Sequence, residues 1–392
     1  MMPKTIFLTI LVILMVLSCS AFIGAESPPK TFPKTFNLIK LFNSGADYLI
    51  DYKLENMTLA EQVGQLFLVG FHSQTIDSQI KDLLENYYVG GVIYFTRNIE
   101  NLEQTQKLSK NLQELALNNG AGIPLFIAVD QEGGKVRRIK DLSYFPANQI
   151  LGAAGNQERT RKTAAVTARE LKGVGVNLNL APVLDVNNNP NNPVIGERSF
   201  GAEPELVAKM GAAYIKGLQS EGIIAAAKHF PGHGDTETDS HTALPVINHS
   251  RARLDAVELY PFKKAIEVGV EVIMAAHIYF PAIETEAGIP ATLSKAVLTD
   301  LLREELDFRG LIITDDMEMG AITKNFGTVQ GAVRSIKAGS DIVLISHSYD
   351  LQKEALAAVT TAVKNGEITK KRIKESVKRI LKLKVKRLSE SI

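Results

Sequence analysis

The sequence predicts a single α/β domain folded as a (β/α)8 barrel of the TIM type, preceded by an export signal. Two observations carry this prediction: eight short apolar runs recur along the chain, and amphipathic helical stretches separate most of them. Most of the runs are apolar on both faces, which is typical of parallel strands covered on both sides. The expected strands are, in chain order, Leu66–Phe71, Gly91–Phe95, Leu125–Val129, Val174–Leu180, Ile223–Ala227, Val272–Ala276, Leu311–Thr314 and Ile342–Ile345.

The expected helices begin with a clear start signal. Thr58 and Glu61 have the spacing of a capping box, in which each side chain binds the backbone N–H of the other residue. Later helices are expected over Glu158–Lys172, Pro204–Glu221, Ser250–Val268, Leu293–Glu305 and Val329–Ala338. No glycine-rich phosphate loop follows the first apolar run, which argues against an open doubly wound sheet. The basic segment Ile368–Ser389 carries one apolar stripe and is expected to be a helix packed on the barrel.

Residues 1–25 are expected to be a secretory signal peptide. Lys4 precedes an apolar run from Ile6 to Leu17, and small residues follow the run. The run is shorter than the roughly 20 residues that a membrane-spanning helix needs. We therefore expect an exported, extracytoplasmic protein, with an uncleaved N-terminal anchor as the alternative.

Cys19 leaves two fates open for the N-terminus. It is the single cysteine of the sequence, and residues 16–19 resemble the lipobox of bacterial lipoproteins, although Leu17 is an uncommon residue at its position. The exported protein is therefore expected to be either lipid-anchored through Cys19 or secreted after cleavage near Ala25.

The rest of the chain divides into a linker and one domain. Residues 26–56 are expected to form a linker or N-terminal extension, since prolines interrupt regular structure between Ser27 and Phe42, and residues 57–392 are expected to form the catalytic domain. This domain contains no cysteine, so neither a disulfide nor a cysteine nucleophile is available. Lys and Arg number 44 against 43 Asp and Glu, and the net charge of +1 argues against a nucleic-acid partner.

Ionisable residues follow several of the predicted strands. The active sites of such barrels lie at the C-terminal ends of the strands, so these residues are candidates for one shared site. They are Asp130, Asp185, Lys228, His229, His277, Asp315 and Asp316. Because Asp315 directly follows its apolar run, its side chain is expected to point into the barrel mouth. Asp316 is expected to point away and to cap the next turn.

The loop that ends at His241 contains three of the seven histidines and has two interpretations. One is a metal site that combines the three histidines with a nearby aspartate. Pro231 and Gly232 exclude a helical His-x-x-x-His pair, which weakens this interpretation. The other is a dyad of Asp239 and His241, whose side chains can point the same way from an extended segment. The carboxylate would then orient the imidazole as a general acid/base.

This loop resembles the Lys-His-Phe-Pro-Gly-His-Gly…Asp-x-His signature of the β-N-acetylglucosaminidases in glycoside hydrolase family 3. Other segments resemble that family in the same order along the chain: Ala128–Gly134 with Arg138, Asn179–Val186, Ile195–Phe200 and Ile313–Met319. The resemblance extends from about Met57 to Leu381. Lys135 departs from the family pattern, in which an arginine is common at that place.

The resemblance implies a retaining mechanism. Asp315 is expected to be the nucleophile and His241 the acid/base, with Asp239 orienting the imidazole and tuning its acidity. The residues expected to bind the hydroxyls of the terminal sugar are Asp130, Arg138, Arg198, Lys228 and His229. The resemblance implies no cofactor and argues against a metal in the histidine-rich loop.

By the same resemblance, the expected activity is removal of terminal β-linked N-acetylglucosamine from peptidoglycan fragments. A β-glucosidase of the same family is the nearest alternative. Phosphorolysis by the same dyad and a non-catalytic sugar-binding lipoprotein are two others. The expected partner is an amino-sugar oligosaccharide, and the protein is expected to be a monomer that meets a membrane only through a lipid anchor.

Overall fold

The computed structural model describes residues 46–388, which form a closed barrel of eight parallel strands. The strands are β1 (Phe67–Gly70), β2 (Gly91–Tyr94), β3 (Phe126–Val129), β4 (Gln131–Gly133), β5 (Val136–Arg137), β6 (Leu178–Asn179), β7 (Ile224–Phe230), β8 (Val272–Ala275), β9 (Leu311–Asp316) and β10 (Ile342–Ile345). Strands β4 and β5 form an antiparallel hairpin directly after β3. The others follow the order β1-β10-β9-β8-β7-β6-β3-β2 around the barrel. The predicted fold class is therefore confirmed.

Helices surround this barrel. They are α1 (Ala46–Asn56), α2 (Leu59–Gly64), α3 (Ser78–Glu85), α4 (Leu102–Asn118), α5 (Asn148–Ala154), α6 (Gln157–Gly173), α7 (Pro204–Ser220), α8 (Arg251–Ala256), α9 (Tyr260–Glu267), α10 (Ala296–Glu305), α11 (Gly320–Thr323), α12 (Thr328–Ala338), α13 (Tyr349–Lys364) and α14 (Lys370–Leu388). The capping box of Thr58 and Glu61 starts α2 as predicted. None of the helices within residues 46–388 combines the length and the apolar character that a membrane span requires.

The barrel strands are apolar runs because both of their faces are covered. Residues of β2 and β3 lie in register, with Val92 paired to Ile127, and all of them are buried. One face of each strand packs inside the barrel and the other packs against the helices. The sequence pattern therefore identified the strands to within a few residues, although β7 and β9 continue further, to Phe230 and Asp316.

The fourth barrel strand is shorter than predicted. The apolar run Val174–Leu180 contributes only Leu178 and Asn179 to the barrel. Its first part is taken by the end of α6 and a turn. The side chain of Asn177 accepts from the backbone N–H of Ile127 and donates to the carbonyl oxygen of Leu125, in addition to the backbone hydrogen bonds that Asn177 makes to the neighbouring strands. Apolar character alone could not separate these uses of the run.

The predicted helix Ser250–Val268 is wrong as a single element. The structure divides it into α8 and α9. Pro261 lies in the first turn of α9, where its missing N–H and its ring are tolerated, whereas inside a continuous helix both would disrupt the backbone. A helix start at this proline is the expected physical outcome.

The N-terminal predictions fall mostly outside the described residues. The predicted signal peptide over residues 1–25, the lipobox cysteine Cys19 and the first part of the linker all precede residue 46. The last part of the predicted linker or N-terminal extension contains helix α1. Its apolar residues Ile50 and Leu54 are buried, which explains why this stretch is ordered as a helix.

A buried carboxylate fastens α14 to the N-terminal end of the barrel. Asp341, directly before β10, is fully buried and accepts hydrogen bonds from the guanidinium groups of Arg303 and Arg379 at 2.8 and 2.9 Å. It also accepts from the hydroxyl of Ser376 and from the backbone N–H of Ile312. These partners hold the pKa of Asp341 below its ordinary value, although burial alone would raise it. The cluster therefore joins two strands and the last helix.

We predict that Asp341→Ala lowers the free energy of unfolding by about 3 kcal/mol, because it leaves partly buried arginine charges without their buried partner. Urea denaturation followed by circular dichroism measures this loss. Glu354→Ala, which removes an exposed carboxylate from α13, is the control and should change stability by less than about 0.5 kcal/mol. Equal effects of the two substitutions would contradict this role of Asp341.

Candidate active site

A polar cavity of about 520 Å³ opens at the C-terminal ends of the barrel strands. Its size lies within the roughly 300–1,000 Å³ usual for small-molecule sites. All eight residues that the sequence assigned to the site border it: Asp130, Arg138, Arg198, Lys228, His229, Asp239, His241 and Asp315. The barrel thus brings together side chains that are far apart in the sequence.

The floor of one side of the cavity is a network of opposite charges. The ammonium group of Lys228, almost fully buried, donates to Asp130 at 2.7 Å and lies 2.7 Å from Glu132. The guanidinium of Arg198 binds Glu132 through two hydrogen bonds of 2.9 and 2.8 Å. Such a paired arrangement fixes the direction of each donor before any ligand arrives.

Glu132 is a member of this charged network that the sequence did not single out. It is almost completely buried. Burial raises the pKa of its carboxyl, but Arg198 and Lys228 outweigh that effect and hold the pKa far below the ordinary value. The residue lies two positions after Asp130 in the same segment, and no local pattern distinguishes it. Its role depends on cations contributed by distant segments.

His229 is oriented by a buried aspartate. Asp185, which has no exposed surface, accepts from the Nδ1 of His229 at 2.7 Å and from its backbone N–H at 3.1 Å. This bond places the ring proton on Nδ1, so Nε2 is the atom that can accept hydrogen bonds at the cavity. Asp185 also accepts from the backbone N–H of His233 at 2.7 Å. Asp185, which follows the fourth barrel strand, therefore holds His229 and the backbone of His233 in place beneath the cavity surface.

The two aspartates at the end of β9 have different environments. Asp315 is partly exposed at the cavity, and its Oδ1 accepts from the backbone N–H of Asp316 at 2.8 Å. Burial would raise the pKa of Asp315, but His229 and His277 hold it below the ordinary value, so the carboxylate is ionised near neutral pH. Asp316 caps the following turn as predicted, since it accepts from the N–H of Glu318. It also borders the cavity, contrary to the expectation that it points away.

His277 supports the same strand end without facing a substrate. It is fully buried, with Nε2 2.9 Å from the carbonyl oxygen of Asp316 and Nδ1 2.6 Å from the hydroxyl of Thr292. Burial lowers the pKa of its imidazole. The hydroxyl of Thr292 also donates to the carbonyl oxygen of Ala276 at 2.7 Å, so the ring is held between two backbone groups at neighbouring strand ends.

Asp239 and His241 form the predicted dyad. The Oδ1 of Asp239 accepts from the Nδ1 of His241 at 2.7 Å and from its backbone N–H at 2.8 Å. Burial would raise the pKa of Asp239, yet these two hydrogen bonds lower it overall. The imidazole is 63% exposed, so its Nε2 is accessible for proton exchange at the cavity entrance.

The three histidines of the loop do not share one ligand. His229 binds Asp185, His241 binds Asp239, and His233 contacts the hydroxyls of Thr236 and Ser240. Burial lowers the pKa of His233 to about 4, which keeps it neutral. The metal interpretation of this loop therefore has no geometric support.

Within residues 46–388, one group of three potential metal ligands does come together, and it contains none of these three histidines. It consists of Asp235, which belongs to this loop, with His249 and Glu258. The guanidinium of Arg253 already contacts both carboxylates, at 3.7 and 3.2 Å, so a cation of the protein itself compensates their charge.

The outer wall of the cavity contains further residues that the sequence did not indicate. The ring of Phe95 lies between His347, at 5.3 Å between ring centroids, and the guanidinium groups of Arg97 and Arg138, at 4.3 and 5.6 Å. His347 also approaches Asp316 at 3.3 Å. These contacts form a wall with one aromatic face and several cations beside the nucleophile strand. Arg138 is 3.8 Å from Asp130, which places it at the edge of the charged network.

A barrel with ionised carboxylates, guanidinium groups and an Asp–His dyad around one polar cavity has the features of an enzyme that acts on sugars. A comparison with family models matches residues 58–383 to the glycosyl hydrolase family 3 N terminal domain. The chain therefore belongs to this family, which confirms the resemblance seen in the sequence and agrees with the predicted class of enzyme, a glycoside hydrolase.

Individual relatives agree with this assignment. The chain is 37% identical over 333 residues to beta-hexosaminidase A of Pseudoalteromonas piscicida, covering 80% of this chain and 56% of that protein. It is 38% identical over 284 residues to a beta-hexosaminidase of Nitrosomonas eutropha, covering 70% and 79%. A solved family 3 β-N-acetylglucosaminidase from Paenibacillus sp. str. FPU-7 matches with 47% identity and a TM-score of 0.84, covering 85% of this chain and 63% of that one. The chain thus spans just over half the length of the first of these relatives.

We predict that Glu132→Gln lowers both kcat/KM and stability, because Lys228 and Arg198 lose the charge that orients them. Since folding depresses the pKa of Glu132, its stabilising effect is fully present above the ordinary value of 4.5 and is lost progressively as the pH falls from there toward the much lower pKa of the folded state. Urea denaturation at neutral and acidic pH should therefore give a larger difference between wild type and variant at neutral pH than at acidic pH.

The control for this prediction is Glu205→Gln, at an exposed position of α7. It should leave stability unchanged at both pH values. A Glu132→Gln variant with the stability and the pH dependence of wild type would show that the network does not depend on this charge.

Proposed function

We propose that this protein is a retaining exo-β-N-acetylglucosaminidase, with Asp315 as the nucleophile and His241 as the acid/base. The observation that carries the proposal is the position of these two groups on the border of one cavity whose floor holds a pre-formed network of sugar-binding charges. The names of the relatives, beta-hexosaminidase and β-N-acetylglucosaminidase, support the choice of an amino sugar over glucose.

The proposed first step forms a covalent intermediate. A carboxylate oxygen of Asp315 attacks the anomeric carbon, and the bond from that carbon to the glycosidic oxygen breaks. His241, protonated on Nε2, gives its proton to the departing oxygen. The low pKa of Asp315 suits this role, because a nucleophile must be ionised when the substrate binds.

The second step releases the sugar. Nε2 of His241, now unprotonated, accepts a proton from a water molecule, and the oxygen of that water attacks the anomeric carbon. The ester bond to Asp315 breaks and the carboxylate returns. Two inversions at the same carbon give net retention of configuration. Asp239 stabilises the imidazolium and keeps the ring in one orientation throughout.

Binding of the terminal sugar follows from the charged network. Asp130 can accept hydrogen bonds from hydroxyl groups, while Lys228, Arg198 and Arg138 can donate them. His229 contributes Nε2 as an acceptor. These groups face one end of the cavity, which suits an enzyme that removes a single terminal residue.

We further propose that the substrate is a peptidoglycan fragment and that the enzyme acts outside the cytoplasm as a monomer. The support is the N-terminal sequence, with its signal-peptide pattern and Cys19, together with the family resemblance. No cofactor enters the proposed steps. Hydrolysis of an aryl β-N-acetylglucosaminide by residues 26–392 tests the activity, and faster cleavage of the matching glucoside would overturn the choice of sugar.

We predict that Asp315→Ala reduces turnover of the aryl N-acetylglucosaminide by at least about 10⁴-fold, because the covalent route is lost. Retained binding of N-acetylglucosamine, measured by calorimetry, would show that the cavity is intact. Activity within tenfold of wild type would contradict the nucleophile assignment.

We predict that His241→Ala lowers kcat/KM by about 10²–10⁴-fold for substrates with poor leaving groups. For a dinitrophenyl leaving group, which departs without protonation, the loss should be much smaller. The comparison of the two substrates measures the role of the acid directly. Equal losses on both would exclude an acid role for His241.

A further inference from the structure

The loop that carries the dyad is attached to the segment that follows the nucleophile strand. The backbone N–H of Gly320 donates to the carbonyl oxygen of His241 at 3.0 Å, and the N–H of Ala321 donates to that of Ser240 at 3.1 Å. The ammonium group of Lys324 donates to the carbonyl oxygen of Thr242 at 2.7 Å. Three successive carbonyl groups of the loop are therefore held by one short segment.

Gly320 permits this contact because it has no side chain. A Cβ atom at this position would lie 2.5 Å from the carbonyl oxygen of His241 and 2.9 Å from that of Thr242. Separations below about 3 Å are not tolerated, and both neighbours are backbone atoms that move only with the loop. A larger residue at this position therefore displaces the loop from the segment.

The same loop has a second attachment on its inner side. Ser240, which lies between the two dyad residues, is buried, and its hydroxyl is 3.0 Å from Nε2 of His233. The backbone of His233 is in turn held by Asp185 and by Asn192. The exposed dyad is thus part of a loop that is held at two places, by His233 and by the segment that begins at Gly320.

From these contacts, we propose that Gly320 is a positioning residue, which docks the acid/base loop onto the nucleophile segment and so sets the place of His241 relative to Asp315. Gly320 is five residues after Asp315, at the start of α11, so the segment that directly follows the nucleophile strand provides the docking point for the acid. The two reacting groups are thereby positioned by one continuous stretch of chain. This inference rests on the proposed roles of Asp315 and His241.

Displacement of the loop should affect protonation of the departing oxygen but not the attack by Asp315. A displaced loop moves the imidazole away from the departing oxygen, and misplacement by about 1 Å can reduce a rate about 10²-fold. The carboxylate of Asp315 does not need the loop to attack the anomeric carbon. Loss of docking should therefore resemble loss of the acid rather than loss of the nucleophile.

The test compares kcat/KM of Gly320→Ala on two aryl N-acetylglucosaminides, one with a poor and one with a dinitrophenyl leaving group. We expect a loss of at least about tenfold on the first, part of the roughly 10²–10⁴ that an acid supplies, and a loss below about twofold on the second. Gly173→Ala is the matched control, because a Cβ at that helix end meets no atom within 4 Å. It should match wild type on both substrates.

Two further variants keep the inference open to refutation if Gly320→Ala folds poorly. Lys324→Ala removes one attachment without any steric conflict and should show a smaller loss, with the same preference for the poor leaving group. In a His241→Ala background, Gly320→Ala should have no additional effect on either substrate. An equal loss on both substrates, or an additive loss in the double variant, would overturn the docking role.

Failure of this inference is distinguishable from failure of the proposed function. If His241→Ala shows no dependence on the leaving group, the acid assignment itself is wrong. If His241→Ala shows that dependence but Gly320→Ala and Lys324→Ala do not, only the docking role is refuted.

Discussion

The buried carboxylate of Glu132 is the interaction on which the rest of the site depends. It lies in the segment after β3, while its partners Lys228 and Arg198 come from the end of β7 and from a separate loop. Neither cation could be buried at the cavity without a compensating charge, because an unpaired buried ion is strongly unfavourable. Once paired, they present fixed donors to the cavity, and Asp130 completes the network as an acceptor. The direction of each donor and acceptor on the cavity floor is therefore set by how these charges are paired when they are buried.

The barrel separates this charged floor from the proposed acid/base dyad at the cavity entrance. Lys228 and Glu132 of the floor are almost fully buried, whereas the imidazole of His241 is exposed. An acid/base needs access to both the leaving group and water, which a fully buried imidazole would lack. An exposed loop has few packing contacts to hold it in one conformation. The hydrogen bonds to Gly320 and His233 restrict its motion. At the opposite end of the barrel, Asp341 with its arginines has only a structural role.

The sequence was sufficient for those features that are repeated or local. Apolar runs identified the strands because each strand is covered on both faces, and the residues after the strands identified the cavity because parallel strands end on one side. The dyad was predictable because Asp239 and His241 are two residues apart. Glu132, Arg97 and His347 were not, since their roles depend on partners more than 60 residues away, as in the contact of Arg198 with Glu132. Local patterns contain no information on which distant charges meet.

The errors in the elements have the same origin. The run at Val174 is apolar like a strand, but its first residues belong to the end of α6 and the turn that follows. No local motif indicated helix α1, because its stabilisation comes from burial of Ile50 and Leu54. In both cases packing decided between conformations that the local sequence allows.

In the proposed mechanism, one carboxylate of this cavity becomes covalently bonded to the sugar. A decisive experiment is incubation of residues 26–392 with a 5-fluoro-N-acetylglucosaminyl fluoride, which slows release of the intermediate, followed by peptide mass spectrometry. We expect a glycosyl adduct on the peptide containing Asp315, located on that residue by fragmentation. An adduct on another carboxylate, or turnover of the reagent with inverted configuration and no adduct, would contradict it.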